Sequence, residues 1–310
     1  MAKSSSGGSS KFLYDFVGGG VSGALAKTIA APIERVKLLL QTQHSNPKLI
    51  SRPYKGSLDC FKRVFLEEGI LSFWRGNLSN IVRYVPIGAI NFSLKDALNR
   101  QFLADVDAKK EPGRFFIGSL LCGGIAGSIG SLSAYPLDFT RTRLAADIGK
   151  AADQRQFKGL IHCLVSILKT DGIRGVYQGF QIAIVAVFFY RALYFGGYDI
   201  GKRLIWGDEA AQRKSSIFAR LIFAWFVISV SETYVYPFDT ARRRLMMQAG
   251  QKTNLEYDGV FDCFKKIAQR EGIRGFYKGN ITNICRSVGS AQVLVFYDEF
   301  QKLAIKDEKN

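Results

Sequence analysis

Apolar residues along this chain of 310 residues gather into long runs separated by short basic stretches. The runs extend from Phe12 to about Gln41, from about Leu78 to Phe102, and over about 115–145, 181–204, 216–246 and 281–303. Each is long enough to cross a bilayer as a helix. Inside each pair of runs lies a shorter segment with apolar positions at helical spacing, such as Leu58 to Phe65. The pattern therefore predicts an all-α membrane protein with six transmembrane helices and three short amphipathic helices. Residues 1–11, rich in serine and glycine, are expected to be a flexible N-terminus; they lack both the apolar core of a secretory signal and the arginine-rich pattern of a transit peptide. Gly19 and Gly23, and again Gly123 and Gly127, have the small-residue spacing that lets helices approach closely, whereas Ala224 and Ile228 stand at the matching places of the third pair.

The runs belong to a tandem triplication. The order P-x-[D/E]-x-x-[K/R] occurs at Pro32, Glu34 and Lys37, at Pro136, Asp138 and Arg141, and at Pro237, Asp239 and Arg242. An acid-glycine pair follows each copy, at Glu68-Gly69, Asp171-Gly172 and Glu271-Gly272. Three copies in one register divide the chain into repeats at 12–110, 111–212 and 213–310. Threefold symmetry would let the acid of each repeat reach a base of another: Glu34 to Arg141, Asp138 to Arg242 and Asp239 to Lys37. Such pairs are individually weak at a wet interface, roughly 0 to 1 kcal/mol, which suits a gate that must reopen.

Composition refines this picture. Hydrophobic residues make up 47% of the chain and the formal net charge is +17. A mean hydropathy of +0.03 argues against a bundle facing lipid on every side and for one that encloses water. Lysines and arginines cluster after each motif proline, for example Lys48, Arg52, Lys55, Lys62 and Arg63 in the first repeat. They put those three loops on one face, and both termini on the other. Basic loops serve equally as anchors at an anionic membrane face and as attractors of an anionic substrate. Cys60, Cys122, Cys163, Cys263 and Cys285 form no metal-binding or disulfide pattern and are expected to be small buried thiols. No nucleophile-base pair appears, so no catalysis is predicted, and a nucleic-acid-binding role would not place arginines within apolar spans.

Charge inside a span is costly unless it faces other helices or water. Lys27, Arg83, Arg191 and Arg286 fall there. Each could form a structural ion pair; Lys27, Arg83 and Arg286 together are better read as a phosphate-binding constellation, because guanidinium groups grip phosphate in bidentate fashion. Tyr190, Tyr194 and Tyr198 recur every four residues as one helical stripe, either packing the core or stacking a flat base.

With these residues in view, the whole chain resembles the mitochondrial carrier family, and within it the ADP/ATP carriers. The threefold motif with its acid-glycine partner carries the likeness, together with PIERVKLLLQ, FWRGN and the run Arg242, Arg243, Arg244, Leu245, Met246, Met247. The resemblance implies a threefold bundle of six tilted helices with three short matrix helices, in the mitochondrial inner membrane, with both termini facing the intermembrane space. It implies exchange of cytosolic ADP for matrix ATP by a monomer, with no cofactor beyond bound cardiolipin. Lys27, Arg83 and Arg286 would meet the phosphates, and Tyr190 with Ala186 and Val187 the adenine, with Asn91, Arg191 and Tyr194 nearby. Glu34, Lys37, Asp138, Arg141, Asp239 and Arg242, braced by Gln41, would form a matrix gate. Asp96, Tyr198, Asp199, Lys202, Tyr297 and Asp298 would form a cytoplasmic gate, thinned by Asn99 and Gln301. Cardiolipin would sit at Trp74, Arg75 and Gly76, at Tyr177 and Gly179, and at Tyr277 and Gly279. Glu232 stands where these carriers usually have glycine, at the symmetry position of Lys27, and would face the phosphate site or pair with a cavity cation; Gly88, Ala186 and Val235 also depart from the usual residues. The alternatives are an adenine-nucleotide exchanger with altered charge coupling and a proton-leak carrier.

Overall fold

A computed structural model describes residues 6–83, 111–149, 155–207, 216–251 and 255–287, with isolated positions between 87 and 102. Among the described residues the chain is entirely helical. The long helices are α1 (Ser6–Thr42), α4 (Pro112–Ala146), α6 (Phe180–Trp206) and α7 (Ile217–Gln248); the shorter ones include α2 (Ser57–Glu68), α3 (Asn77–Val82), α5 (Leu160–Val176) and α8 (Val260–Glu271). A further helix covers 280–287. Helix α1 begins at Ser6, so residues 6–11, expected to be mobile, are its first turns. Adding residues to an existing helix avoids the cost of nucleation.

Pro32, Pro136 and Pro237 lie within α1, α4 and α7, each of which continues beyond its proline. Beyond the prolines the helix ends pack against the short helices. In α2, Cys60, Val64 and Glu68 are buried at intervals of four residues, the spacing that puts them on one helical face. Cys60 packs with Val36, Leu39 and Phe73; Cys163 with Phe139, Ile167 and Met246; and Cys263 with Ala241, Leu245 and Ile267. These three thiols are fully buried, as their matching places in the repeats led us to expect, whereas Cys285 is exposed. Burial pushes the thiols of Cys60, Cys163 and Cys263 up to about 12, so they stay protonated.

Helix α7, over Leu221–Gln248, is long and apolar enough to cross a membrane, with mean hydropathy 1.4 in its richest stretch. Leu160–Val176 and Phe180–Tyr194 pass the same test together, across a bend of 49°. Six uniformly apolar spans are thus not what the described helices display. Glycines and charged side chains dilute the apolar character of α1 and α4, and Lys27, Glu34, Asp138 and Arg141 among those charges line a cavity.

Candidate functional site

The three predicted acid-base pairs all form. Lys37 Nζ lies 3.0 Å from Asp239 Oδ2, and Arg141 and Arg242 make short ion pairs with Glu34 and Asp138. Gln41 donates from Nε2 to Asp239 Oδ2 at 3.2 Å and to Thr240 Oγ1 at 3.0 Å, bracing the third pair from α1. Glu34 and Asp138 are buried, and a buried carboxylate needs such partners to stay charged.

The run of three arginines in α7 shows how helical geometry separates neighbours. Successive residues project about 100° apart, so Arg242 reaches Asp138, while Arg243 reaches Asp239 at 3.2 Å and donates to Thr142 Oγ1 at 2.8 Å. Arg244 turns outward from the ring to pair with Glu271, the acid of the acid-glycine turn. Leu245, Met246 and Met247 are buried. Lys278 also pairs with Glu271, at 2.7 Å. Burial pushes the Glu271 carboxyl up, but hydrogen bonds and positive charge from Arg244 and Lys278 prevail and hold it at about 2.

Above the ring lies a cavity of about 300 Å³ whose lining includes Lys27, Arg83, Tyr190, Glu232, Asn283 and Arg286. All three cations proposed from sequence face this one space, and so do Ala186 and Val187. Each cation is held by a carboxylate. Lys27 lies 3.6 Å from Glu34 and Arg83 2.9 Å from Asp138, so two of them borrow acids of the ring. Arg286 instead pairs with Glu232 at 2.7 Å, and Asn283 Nδ2 donates to the same carboxylate at 2.7 Å. Tyr190 stacks on Tyr194, their ring centroids 6.0 Å apart and nearly parallel. The guanidinium of Arg191 packs on the bare backbone of α4 at Gly127, where a Cβ would collide with it. Asn91, Asp96, Tyr297 and Asp298, and the side chains of Tyr198, Asp199 and Lys202, lie outside the described residues.

Three turn glycines lock the ring from behind. Gly76, Gly179 and Gly279 have φ of +81°, +81° and +85°, the left-handed region that favours glycine. A Cβ at Gly76 would lie 2.8 Å from the carbonyl oxygen of Arg141; at Gly179, 3.0 Å from that of Arg242; and at Gly279, 3.0 Å from that of Lys37. The turn of each repeat therefore presses on the backbone of a ring base in another repeat. In the same turns, Trp74 Nε1 donates to Thr28 O at 2.8 Å, Tyr177 Oη donates to Leu132 O at 3.1 Å, and Tyr277 stacks on Tyr236. Arg75 pairs with Glu68 and donates to Gly149 O at 2.5 Å, so its charge is turned inward.

Sequence reasoning missed three sets of residues. Asn80 donates to Glu34 at 3.2 Å and accepts from Arg83 at 3.2 Å, as Asn283 does for Glu232 and Arg286 in the third repeat. The signal was present as N-x-x-R in GNLSNIVR and GNITNICR. The pairing of Lys27 with Glu34, seven apart on one helix, and that of Arg83 with Asp138, between repeats, also passed unnoticed. Arg35, almost fully buried, pairs with Glu68 at 2.9 Å and donates to Ser72 O. It takes the place of Arg244, because the residue seven after Pro32 is Leu39 rather than arginine.

A family profile described as "Mitochondrial carrier protein" matches residues 8–105, 113–209 and 213–308. The chain is 50% identical over 293 residues to ADP/ATP translocase 2 of Tachyglossus aculeatus aculeatus, covering 94% of this chain and 97% of that protein. It is 49% identical to ADP/ATP translocase 2 of Bos taurus over the same shares. It is also 48% identical over 295 residues to the mitochondrial substrate carrier family protein ancA of Dictyostelium discoideum, covering 95% of this chain and 94% of that one. With its three motif copies and three matched segments, the chain belongs to the mitochondrial carrier family.

Proposed function

We propose that this chain is an antiporter of the mitochondrial inner membrane that exchanges cytosolic ADP for matrix ATP. Nearly half of its residues are shared with proteins named ADP/ATP translocases. The observation that carries the reading is the convergence of Lys27, Arg83 and Arg286 on one cavity above the ring of Glu34–Arg141, Asp138–Arg242 and Asp239–Lys37. A polyphosphate entering that cavity offers oxygens to cations now held by carboxylates, and charge-assisted hydrogen bonds to phosphate are strong enough to compete. Because Glu34 and Asp138 serve both a cavity cation and a ring base, drawing Lys27 and Arg83 toward phosphate loosens the same carboxylates that close the ring. Binding and opening are thereby linked at two atoms' distance. Tyr190, with Ala186 and Val187 beside it, offers an apolar wall and an aromatic face for adenine.

In this reading six helices span the membrane and both termini face the intermembrane space. The ring is the matrix gate, and Asp96, Tyr198, Asp199, Lys202, Tyr297 and Asp298 form its cytoplasmic counterpart. The site is reached alternately from either side. Asn91 lies near the adenine; the chain works as a monomer with cardiolipin seated at Gly76, Gly179 and Gly279. The test is uptake of labelled ADP into ATP-loaded liposomes bearing the purified protein. Exchange that requires internal nucleotide supports the reading. Proton conductance without nucleotide exchange would overturn it in favour of a leak carrier.

A further inference from the structure

The described lining of the cavity holds seven cationic side chains and four carboxylates, Glu34, Asp138, Glu232 and Asp239. Its excess of three positive charges matches a fully ionised nucleoside diphosphate; the triphosphate brings one negative charge more. Three of the carboxylates belong to the ring and are tied to ring bases. Glu232 differs. It is outside the ring, and its partners are Arg286 and Asn283 from the helix over 280–287. Lys27, Glu34 and Lys37 of α1, Arg83, Asp138 and Arg141 of α4, Tyr190 of α6, and Asp239, Arg242 and Arg243 of its own helix face the same space. A phosphate that takes Arg286 leaves Glu232 with a neutral amide, next to the phosphate's own charge. Two negative groups would then face each other across the place Arg286 has left, and they repel unless a proton or a cation comes between them.

Resting on the exchange proposed above, we infer that Glu232 is a proton-binding site coupled to nucleotide charge: the triphosphate binds together with one proton, and the diphosphate binds without it. The proton adds to a carboxyl oxygen of Glu232 from water on the side where ATP enters and leaves to water on the side where ATP is released. Protonation raises the positive excess of the lining by one, to match the triphosphate. The bound complexes of ATP with its proton and of ADP then carry equal charge. One turnover moves ATP and a proton one way and ADP the other, with no net charge crossing the membrane. The membrane potential loses its hold on the exchange, and a pH difference acquires one.

The experiment compares wild type, Glu232→Gly and the near-isosteric Glu232→Gln in liposomes, measuring ATP-for-ADP exchange under an imposed potential or an imposed pH difference. The bulk pH is kept above the last phosphate ionisation. Wild-type exchange is expected to change less than twofold with potential and several-fold with pH difference; both variants are expected to show the opposite. In weakly buffered detergent solution with a pH indicator, wild type takes up about one proton per ATP bound and none per ADP, and Glu232→Gln none for either. Wild-type exchange that follows the potential as the variants do, or ATP binding without proton uptake, overturns the inference while leaving the exchanger intact. Absence of nucleotide exchange by wild type overturns the underlying function as well.

Discussion

Two sides of the cavity answer the same physical demand differently. On one side Lys27 and Arg83 reach down to Glu34 and Asp138, carboxylates already engaged by Arg141 and Arg242. On the other, Arg286 has a carboxylate of its own in Glu232, and the ring pair beneath, Lys37 with Asp239, is left to Gln41 and Arg243. The first arrangement shares acids between cavity and ring, so a change in one is felt in the other. The second separates them. In the exchange proposed above, this asymmetry makes Glu34 and Asp138 the link between binding and opening and leaves Glu232 to tune charge.

Substitutions can break or sharpen that contrast. The largest effect is expected for Asp138→Asn, which removes a buried carboxylate and leaves two half-buried guanidinium groups without it. Removing one partner of a buried pair costs about 3–5 kcal/mol, and the apparent melting temperature should fall by roughly 10 °C in a thermal-shift assay, with exchange lost. Glu232→Gln removes a less buried carboxylate that holds one arginine rather than two, and the same assay should read a fall of no more than about 3 °C. Equal falls for the two variants would erase the distinction between shared and private acids. Next in size is Gly179→Ala, which forces a methyl group to 3.0 Å from the Arg242 carbonyl in a left-handed turn; a loss of about 1–3 kcal/mol is expected, measurable as a lower midpoint of thermal unfolding.

The pH response of Glu271 tests the third repeat outside the cavity. Its carboxyl is held at about 2, below its ordinary value of 4.5. A depressed acid adds stability that is present above 4.5 and lost as pH falls toward 2. Wild type should therefore lose stability between pH 4.5 and 2 more steeply than Glu271→Gln, whose unfolding midpoint is already lower at neutral pH. The smallest effect expected is that of Tyr194→Leu, which removes a ring stacked behind Tyr190. Such pairs contribute about 0.5–1.5 kcal/mol beyond burial, so ADP affinity should weaken no more than about tenfold in a binding titration.

Much of this was legible before any coordinates. Pairing of Glu34 with Arg141, Asp138 with Arg242 and Asp239 with Lys37 followed from motif spacing and threefold symmetry alone, because symmetry turns a repeat into a statement about neighbours. The convergence of Lys27, Arg83 and Arg286 followed from the cost of charge in an apolar span. What escaped was reach. Spacing says which residues share a helix face but not how far a lysine or arginine extends along it, so the bridges from Lys27 to Glu34 and from Arg83 to Asp138 were unseen. Hydropathy identified α7 clearly, and was blunted in α1 and α4 by the polar groups that make the cavity.

The contacts of Gly76 with Arg141, Gly179 with Arg242 and Gly279 with Lys37 run first to second, second to third and third back to first. A circuit of this kind has no free end. In the exchange proposed above, displacing any one repeat strains the next and returns to its origin, so the mouth yields all at once, like an iris, rather than leaf by leaf.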